Sequence, residues 1–272
     1  HRCARCHRPE RGGAFVHEGS ALVVRDFAPV INCSASHGSG GGAFVTSGAL
    51  LALNDHARVV RNSAAGDGGG VYVANSSTLH MNASAGVWGN TASRGIGGGV
   101  CVSSRSSARV AEHSSIRQNE AALGGGVALR QSVLTVTDFA LVERCNATRF
   151  GGAAFVAHGS TLFILRGARV IHNTARDGGG VCVATASLLE LNDSARVMYN
   201  SAQRNGGGVC AHKGGEVRIS SRAALLFNVA TDGGGFHLTD RATATMTGSC
   251  EVRENHAHNG GGGGVVATST AD

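Results

Sequence analysis

The chain is short of lysine, proline and tryptophan: Lys213 is the only lysine, and 272 residues include two prolines and one tryptophan. Aromatic residues make up 4%, so a core built on large rings is excluded and small aliphatic and β-branched side chains must fill a narrow one. No stretch reaches the roughly 18–20 apolar residues of a membrane-spanning helix. No secretory leader opens the sequence, which starts at His1 and enters its repeat within about ten residues; a fragment of a longer protein is expected. The scarcity of lysine leaves arginine to carry a net charge of +6. Without a long basic run, this reads as a solvated surface of mild positive bias, with a patch for acidic glycans or nucleic acid as the sharper alternative; on balance no nucleic acid partner is expected.

Glycine, by contrast, is abundant. The 42 glycines lack a three-residue period, which excludes collagen. They recur instead as Gly-Gly-Gly before an apolar triplet, as in Gly-Gly-Gly-Val-Tyr-Val at 68–73 and Gly-Gly-Gly-Val-Cys-Val at 97–102 and 178–183. Taking the first apolar residue as anchor gives Ala14, Ala43, Val71, Val100, Val127, Ala154, Val181, Val209, Phe236 and Val265, ten copies at steps of 27–29 residues. Self-similarity at such a period marks a solenoid, a single domain whose core grows by stacking.

Within the copy that starts at Val71, apolar residues fall in pairs two apart: Val71 and Val73, Leu79 and Met81, Ala85 and Val87. Two is the strand period, and Asn, Asp, Ser and Gly between the pairs are turn formers. Each copy therefore reads as three short strands. Strands that pair with their equivalents one turn away, about 4.8 Å apart, make a parallel β-helix. The expected fold is all-β, a single-stranded parallel β-helix of about ten turns with three strands per turn. It occupies residues 11–272 behind a cysteine-containing flank at 1–10, and it is right-handed by the chirality of parallel crossovers. A leucine-rich repeat is the fold runner-up, because Ala57-x-Val59-x-x-Asn62-x-Ala64 mimics its core, but the remainder of each copy holds two more strands rather than a helix.

Nineteen residues after the anchor stands an asparagine: Asn62, Asn90, Asn119, Asn173, Asn200, Asn228 and Asn255, with Cys33 and Cys145 in the same slot of two other copies. An Asn repeated at one corner predicts amides stacked along the axis. Length varies mainly between this residue and the next glycines, which predicts a loop outside the stacked core.

The phrases Gly-Gly-Ala-Phe (12–15), Gly-Gly-Gly-Val and Val-x-x-Asn resemble the Gly-Gly-Ala-Ile and Phe-x-x-Asn repeats of chlamydial polymorphic outer membrane proteins, and are similar to the wider set of pectin-lyase-like right-handed β-helix proteins. The resemblance covers about residues 11–267, with Val, Leu or Ile usually replacing Phe before the Asn. It implies a secreted or surface-exposed, adhesin-like segment whose partners are glycans or host or cell-surface proteins.

Four sets of residues are candidates for chemistry. Asp26, Asp55, Glu112, Asp138 and Asp193 fall in the turn between the second and third strands; the first four form a candidate cation row, against plain turn chemistry. Asp67, Asp177 and Asp232, with Asn205 between the last two, precede the glycines and touch the carboxylate spacing of an inverting glycosidase. The middle residues of the triplets should face outward: Phe15, Phe44, Tyr72, Cys101, Ala128, Phe155, Cys182, Cys210 and His237. Phe15, Phe44 and Tyr72 are candidates for stacking on a ligand, unless a loop covers them. That face carries none of the Asn-Thr-Asp, Asp-Asp or Gly-His-Gly signatures of galacturonase-like enzymes. Cys182 and Cys210, on adjacent turns of one ladder, are a candidate disulfide. Cys3, Cys6 and His7 are half of a zinc pattern without its second half, and the two cysteines read rather as free thiols or as disulfide partners of sequence outside this stretch; Cys250 reads as a small core residue. Five sequons, at Asn32, Asn75, Asn82, Asn146 and Asn192, fit secretion. The reading that results is a non-enzymatic surface scaffold for recognition that needs no cofactor, with a polysaccharide-active enzyme and a pure spacer as alternatives.

Overall fold

The computed structural model describes residues 12–266, all of it strand and turn. Cys3, Cys6 and His7 lie outside the described residues. The chain winds as a right-handed parallel β-helix in which every pairing between neighbouring turns is parallel. The first sheet has ten strands, from Ala14–Val16 to Gly264–Val266, and three further sheets have nine each. The described residues therefore make nine complete turns, against the ten copies counted in the sequence.

The turns have four strands rather than three. The segment after the corner residue is not a loop outside the stack: Ser34–Ala35, Ser63–Ala64, Thr91–Ala92, Glu120–Leu123 and their successors pair as a fourth sheet. The strands are only two to five residues long and mostly Ser, Thr and Ala, so no alternation of large apolar residues announces them. Their one inward residue is buried alanine: Ala35, Ala64, Ala92, Ala121, Ala147, Ala175, Ala202 and Ala230. The length variation is taken up by irregular register at Ala121–Leu123 against Ala147–Phe150. The last anchor also differs. Phe236 pairs with Gly264, not Val265, because five consecutive glycines leave the final register unmarked in the sequence.

The interior is a set of in-register ladders. Leu51, Leu79, Ala108, Leu134, Leu162, Leu189 and Val217 form one, and Leu53, Met81, Val110, Val136, Ile164, Leu191 and Ile219 form the next. All are buried, and full burial of a Leu or Ile side chain stabilises by about 1.5–3 kcal/mol.

Tight left-handed turns join the strands. In the turn that starts at Val71, Asn75 and Ser76 (φ 54° and 60°), Ala83 and Ser84 (49° and 63°) and Gly89 (63°) are all in the αL region. Asn, Asp, Ser and Gly tolerate it at least cost.

Candidate functional site

The asparagines occupy one buried corner. Oδ1 of each accepts from the backbone N–H and the Nδ2 of its neighbour: Asn62 to Asn90 (2.9 and 3.0 Å), Asn173 to Asn200 (2.9 and 3.0 Å), Asn200 to Asn228 (3.0 and 3.0 Å) and Asn228 to Asn255 (2.9 and 2.9 Å). Each Nδ2 also donates to a carbonyl of the preceding turn, Asn119 to Val87 O at 2.9 Å for example. Cys145 interrupts the column, and Asn119 Nδ2 meets its Sγ at 3.9 Å. A second, shorter ladder was not legible as such. The buried Ser77, Ser106, Ser160 and Ser187 hydroxyls accept from the N–H of Ala49, Ser77, Ser132 and Ser160 at 3.2 Å. Serine is common in every turn of this chain, so its repetition at one slot stands out little.

The acidic row does not gather. Asp26, Asp55, Glu112 and Asp193 are exposed, and these four and Asp138 all hold αL positions of their turns (φ 49–55°). Asp138 pairs with Arg109 (2.8 Å) and Arg166 (3.6 Å), and Glu112 accepts from Ala83 N–H at 3.2 Å. No cluster of three or more His, Cys, Asp or Glu among the described residues is arranged to hold a metal ion. Among the sequons, Asn32 and Asn75 are αL turn residues and Asn146 is exposed on the fourth sheet.

The outward face of the first sheet is largely covered, and the chain itself supplies the cover. The first glycine of each run has positive φ, 62–71° from Gly40 to Gly233, a conformation open to glycine at little cost. It folds the end of the fourth strand back toward the first sheet as a re-entrant corner. The residues just before these glycines are Asp67, Ile96, Leu123, Phe150, Asp177, Asn205 and Asp232. They run beside the middle residues of the triplets, and Cys101, Ala128, Cys182 and Cys210 are consequently buried. Phe150 packs on Phe155 (6.3 Å between centroids) and on His212 (5.6 Å).

The aromatic candidates sit at the N-terminal end of this corner. Phe15, Phe44 and Tyr72 stack at 5.8 and 5.0 Å, tilted by 54° and 53°. Phe15 is 38% exposed, the other two are half-buried, and Tyr72 shares a 3.1 Å hydrogen bond with Ser103.

Two polar clusters are built into the corner. In the first, Arg130 reaches across to an ion pair with Asp67, whose Oδ1 accepts from Ile96 N–H at 3.0 Å. Beneath it lies the Cys101 thiol, pushed up to about 12 chiefly by burial and secondarily by Asp67. In the second, Asp177 accepts from Asn205 Nδ2 at 2.8 Å and from Arg176 Nε at 3.2 Å. These bonds tie the Asp177 carboxylate to its own strand and to the next turn. Cys182 and Cys210 are register partners. Both are free thiols paired in register. His237 stands next on the same ladder, beside Cys210, with its Nδ1 buried and without a hydrogen-bond partner. The neighbouring Cys182 and then His237 draw Cys210 below the usual thiol range, whereas Cys210 and burial push Cys182 well above it. Cys250 packs half-buried against the core.

The third sheet and its corner hold an arrangement that the sequence pattern did not reveal. His172, Tyr199 and Phe227 stack face to face at 5.3 and 4.9 Å, within 11° and 8° of parallel. Each is the αL residue before its ladder Asn. Trp88 lies between Arg117 (3.7 Å) and Arg58 (4.7 Å), with its Nε1 donating to Ser115 Oγ at 2.8 Å. These rings are scattered among Arg, Gly, Gln and Glu at equivalent positions, so only the register brings them together.

No family model, curated protein or solved structure matches this chain. Function is accordingly argued from the geometry.

Proposed function

We propose that the protein is a non-enzymatic, extracellular or cell-surface β-helix scaffold whose outer faces recognise a glycan or a cell-surface protein. The observation that carries this reading is the stack of His172, Tyr199 and Phe227. Three near-parallel rings at the spacing of the turns, with Tyr199 44% exposed, present a row of ring edges along the axis. An extended ligand packs against such an aromatic strip by apolar contact. Beside it, on the third sheet, Arg196, Arg222, Leu226, Glu251 and Arg253 line an open recess of about 520 Å³; Arg253 is paired with Glu251 and Glu254, and Arg196 and Arg222 offer planar donors to carboxylate or sulfate groups.

The resemblance of the Gly-Gly-Ala-Phe and Val-x-x-Asn phrases to polymorphic outer membrane protein repeats, within the pectin-lyase-like set, supports a surface location and an adhesin-like role. The lack of any cluster of three or more His, Cys, Asp or Glu among the described residues, and the bonds of Asp177 to Asn205 and Arg176, favour a scaffold over a hydrolase.

The test is to pass acidic and neutral polysaccharides over the immobilised protein, scoring retention and new chain ends together. Retention without cleavage, weakened at least tenfold by Tyr199→Ala with the fold preserved, is expected. New chain ends would make the protein an enzyme. Retention unaffected by Tyr199→Ala or Arg222→Ala would place recognition elsewhere, and no retention of any polysaccharide leaves a protein ligand or a spacer.

A further inference from the structure

The cluster of Cys182, Cys210 and His237 has no part in that reading, and it differs in kind from the other buried cysteines. Cys101 and Cys145 are buried thiols without a histidine beside them, pushed up to about 12 by desolvation. Cys210 instead has a thiol partner on one side of its ladder and an imidazole on the other. Directly paired residues of adjacent parallel strands lie about 4.8 Å apart, inside the range of Cα separations that a disulfide spans. The other groups facing the cluster are Asp177, which acts on both cysteines, His212 and His237, and Asp232, which acts on His237. Cys210 beside it raises the affinity of His237 for a proton most, partial burial opposes this, and the two carboxylates add to it. The register thus sets Cys210 against an imidazole toward which its proton is biased, the arrangement in which histidine-paired cysteines are reactive.

We propose that Cys182 and Cys210 are an oxidisable dithiol, with Cys210 as the attacking sulfur and His237 as its activating partner, and that a hydroperoxide converts them to a disulfide joining two consecutive turns of the β-helix. Cys210 S⁻ attacks one peroxide oxygen. An S–O bond forms, the O–O bond breaks, and the leaving hydroxide takes the proton of His237 to become water. The Cys182 sulfur then attacks the sulfenic sulfur of Cys210. The S–S bond forms, the S–O bond breaks, and the departing hydroxide takes the Cys182 proton. Two thiols lose two electrons, and one hydrogen peroxide becomes two waters. Burial of the pair, with Cys210 3% and His237 9% exposed, suits a small oxidant over a protein disulfide. The in-register ladder holds the two α-carbons within disulfide range before any reaction.

The experiment starts from fully reduced protein, adds hydrogen peroxide, quenches with N-ethylmaleimide and maps linked peptides by mass spectrometry. A Cys182–Cys210 peptide pair should appear at least tenfold faster than any modification of Cys101 or Cys145. Formation should slow as pH falls through about 6, because protonation removes the nucleophile. His237→Asn should slow it at least tenfold with the melting temperature little changed. Cys182→Ser should leave a Cys210 sulfenic acid that dimedone traps. Oxidation of Cys182 and Cys210 no faster than that of Cys101 and Cys145 would overturn the proposal. So would an unaltered rate in a folded His237→Asn variant, which would make the histidine a bystander.

Discussion

Asn119 Oδ1 accepts from both the backbone N–H (2.8 Å) and the Nδ2 (3.0 Å) of Asn90, one turn away. One amide oxygen thus satisfies two buried donors, and the same amide's nitrogen donates back to Val87 O. Removing a partner of a buried polar group costs about 1–3 kcal/mol. Asn119→Ala should therefore destabilise by about 2–3 kcal/mol in urea unfolding. Asn75 is the contrast: it lies at an αL turn (φ 54°) and makes a single side-chain bond, to Thr46. Asn75→Gly keeps the αL conformation open and should change stability by less than about 1 kcal/mol. Equal losses at the two sites would mean that the column is not what closes this corner.

Cys145 stands in the ladder slot without an amide. Asn173 still serves its N–H (2.9 Å), but toward Asn119 it offers only a sulfur 3.9 Å away. Cys145→Asn should complete the column and raise stability by about 1 kcal/mol, read as a higher urea midpoint at unchanged slope. A loss of stability would show that this shortened turn cannot seat the larger side chain.

Two glycines separate close approach from conformational freedom. A Cβ on Gly98 would lie 2.4 Å from Glu120 O, whereas one on Gly48 would meet nothing within 4 Å. Gly48→Ala therefore carries only the strain of its φ of 74°, about 1–2 kcal/mol. Gly98→Ala forces two turns apart and should cost about 3 kcal/mol or more. Thermal unfolding of both variants ranks them, and similar losses would remove the packing argument for the glycine runs.

Cys101 and Cys145 make alkaline stability depend on burial. Their folded-state pKa, about 12, lies above the ordinary 9.0. The unfolded chain thus releases these protons first. The stability they confer is complete below pH 9 and is lost as pH rises from there toward 12, by up to about 4 kcal/mol each. Cys101→Ala combined with Cys145→Ala should shift the alkaline unfolding midpoint upward. An unchanged midpoint would assign alkaline unfolding to other groups.

The repeat and its two-residue alternation determined most of the architecture by themselves. The residues of the Val71 copy fell on strands where expected, except Ala85, which ends the turn before Gly86–Trp88, and the asparagines fell on one column, because a buried ladder admits few residue types and leaves a periodic signature. The fourth sheet left none. Its strands are as short as Ser63–Ala64, and their neighbours' backbone, rather than their own side chains, holds them in place. The final register of Gly264 was hidden for a related reason, since a run of glycines has no side chain to mark its phase.

What only the tertiary structure decided is what meets across the turns. The residues of the Cys182–Cys210–His237 row could be aligned from the period, but not the fold-back of Asp177 that buries them. The rings of His172, Tyr199 and Phe227 could be aligned too, yet their stacking depends on αL corners that aim three different side chains one way. Period sets position along a solenoid's axis, whereas burial and orientation at its surface depend on how each corner bends, and backbone conformation at a corner is a property of the packed turns together.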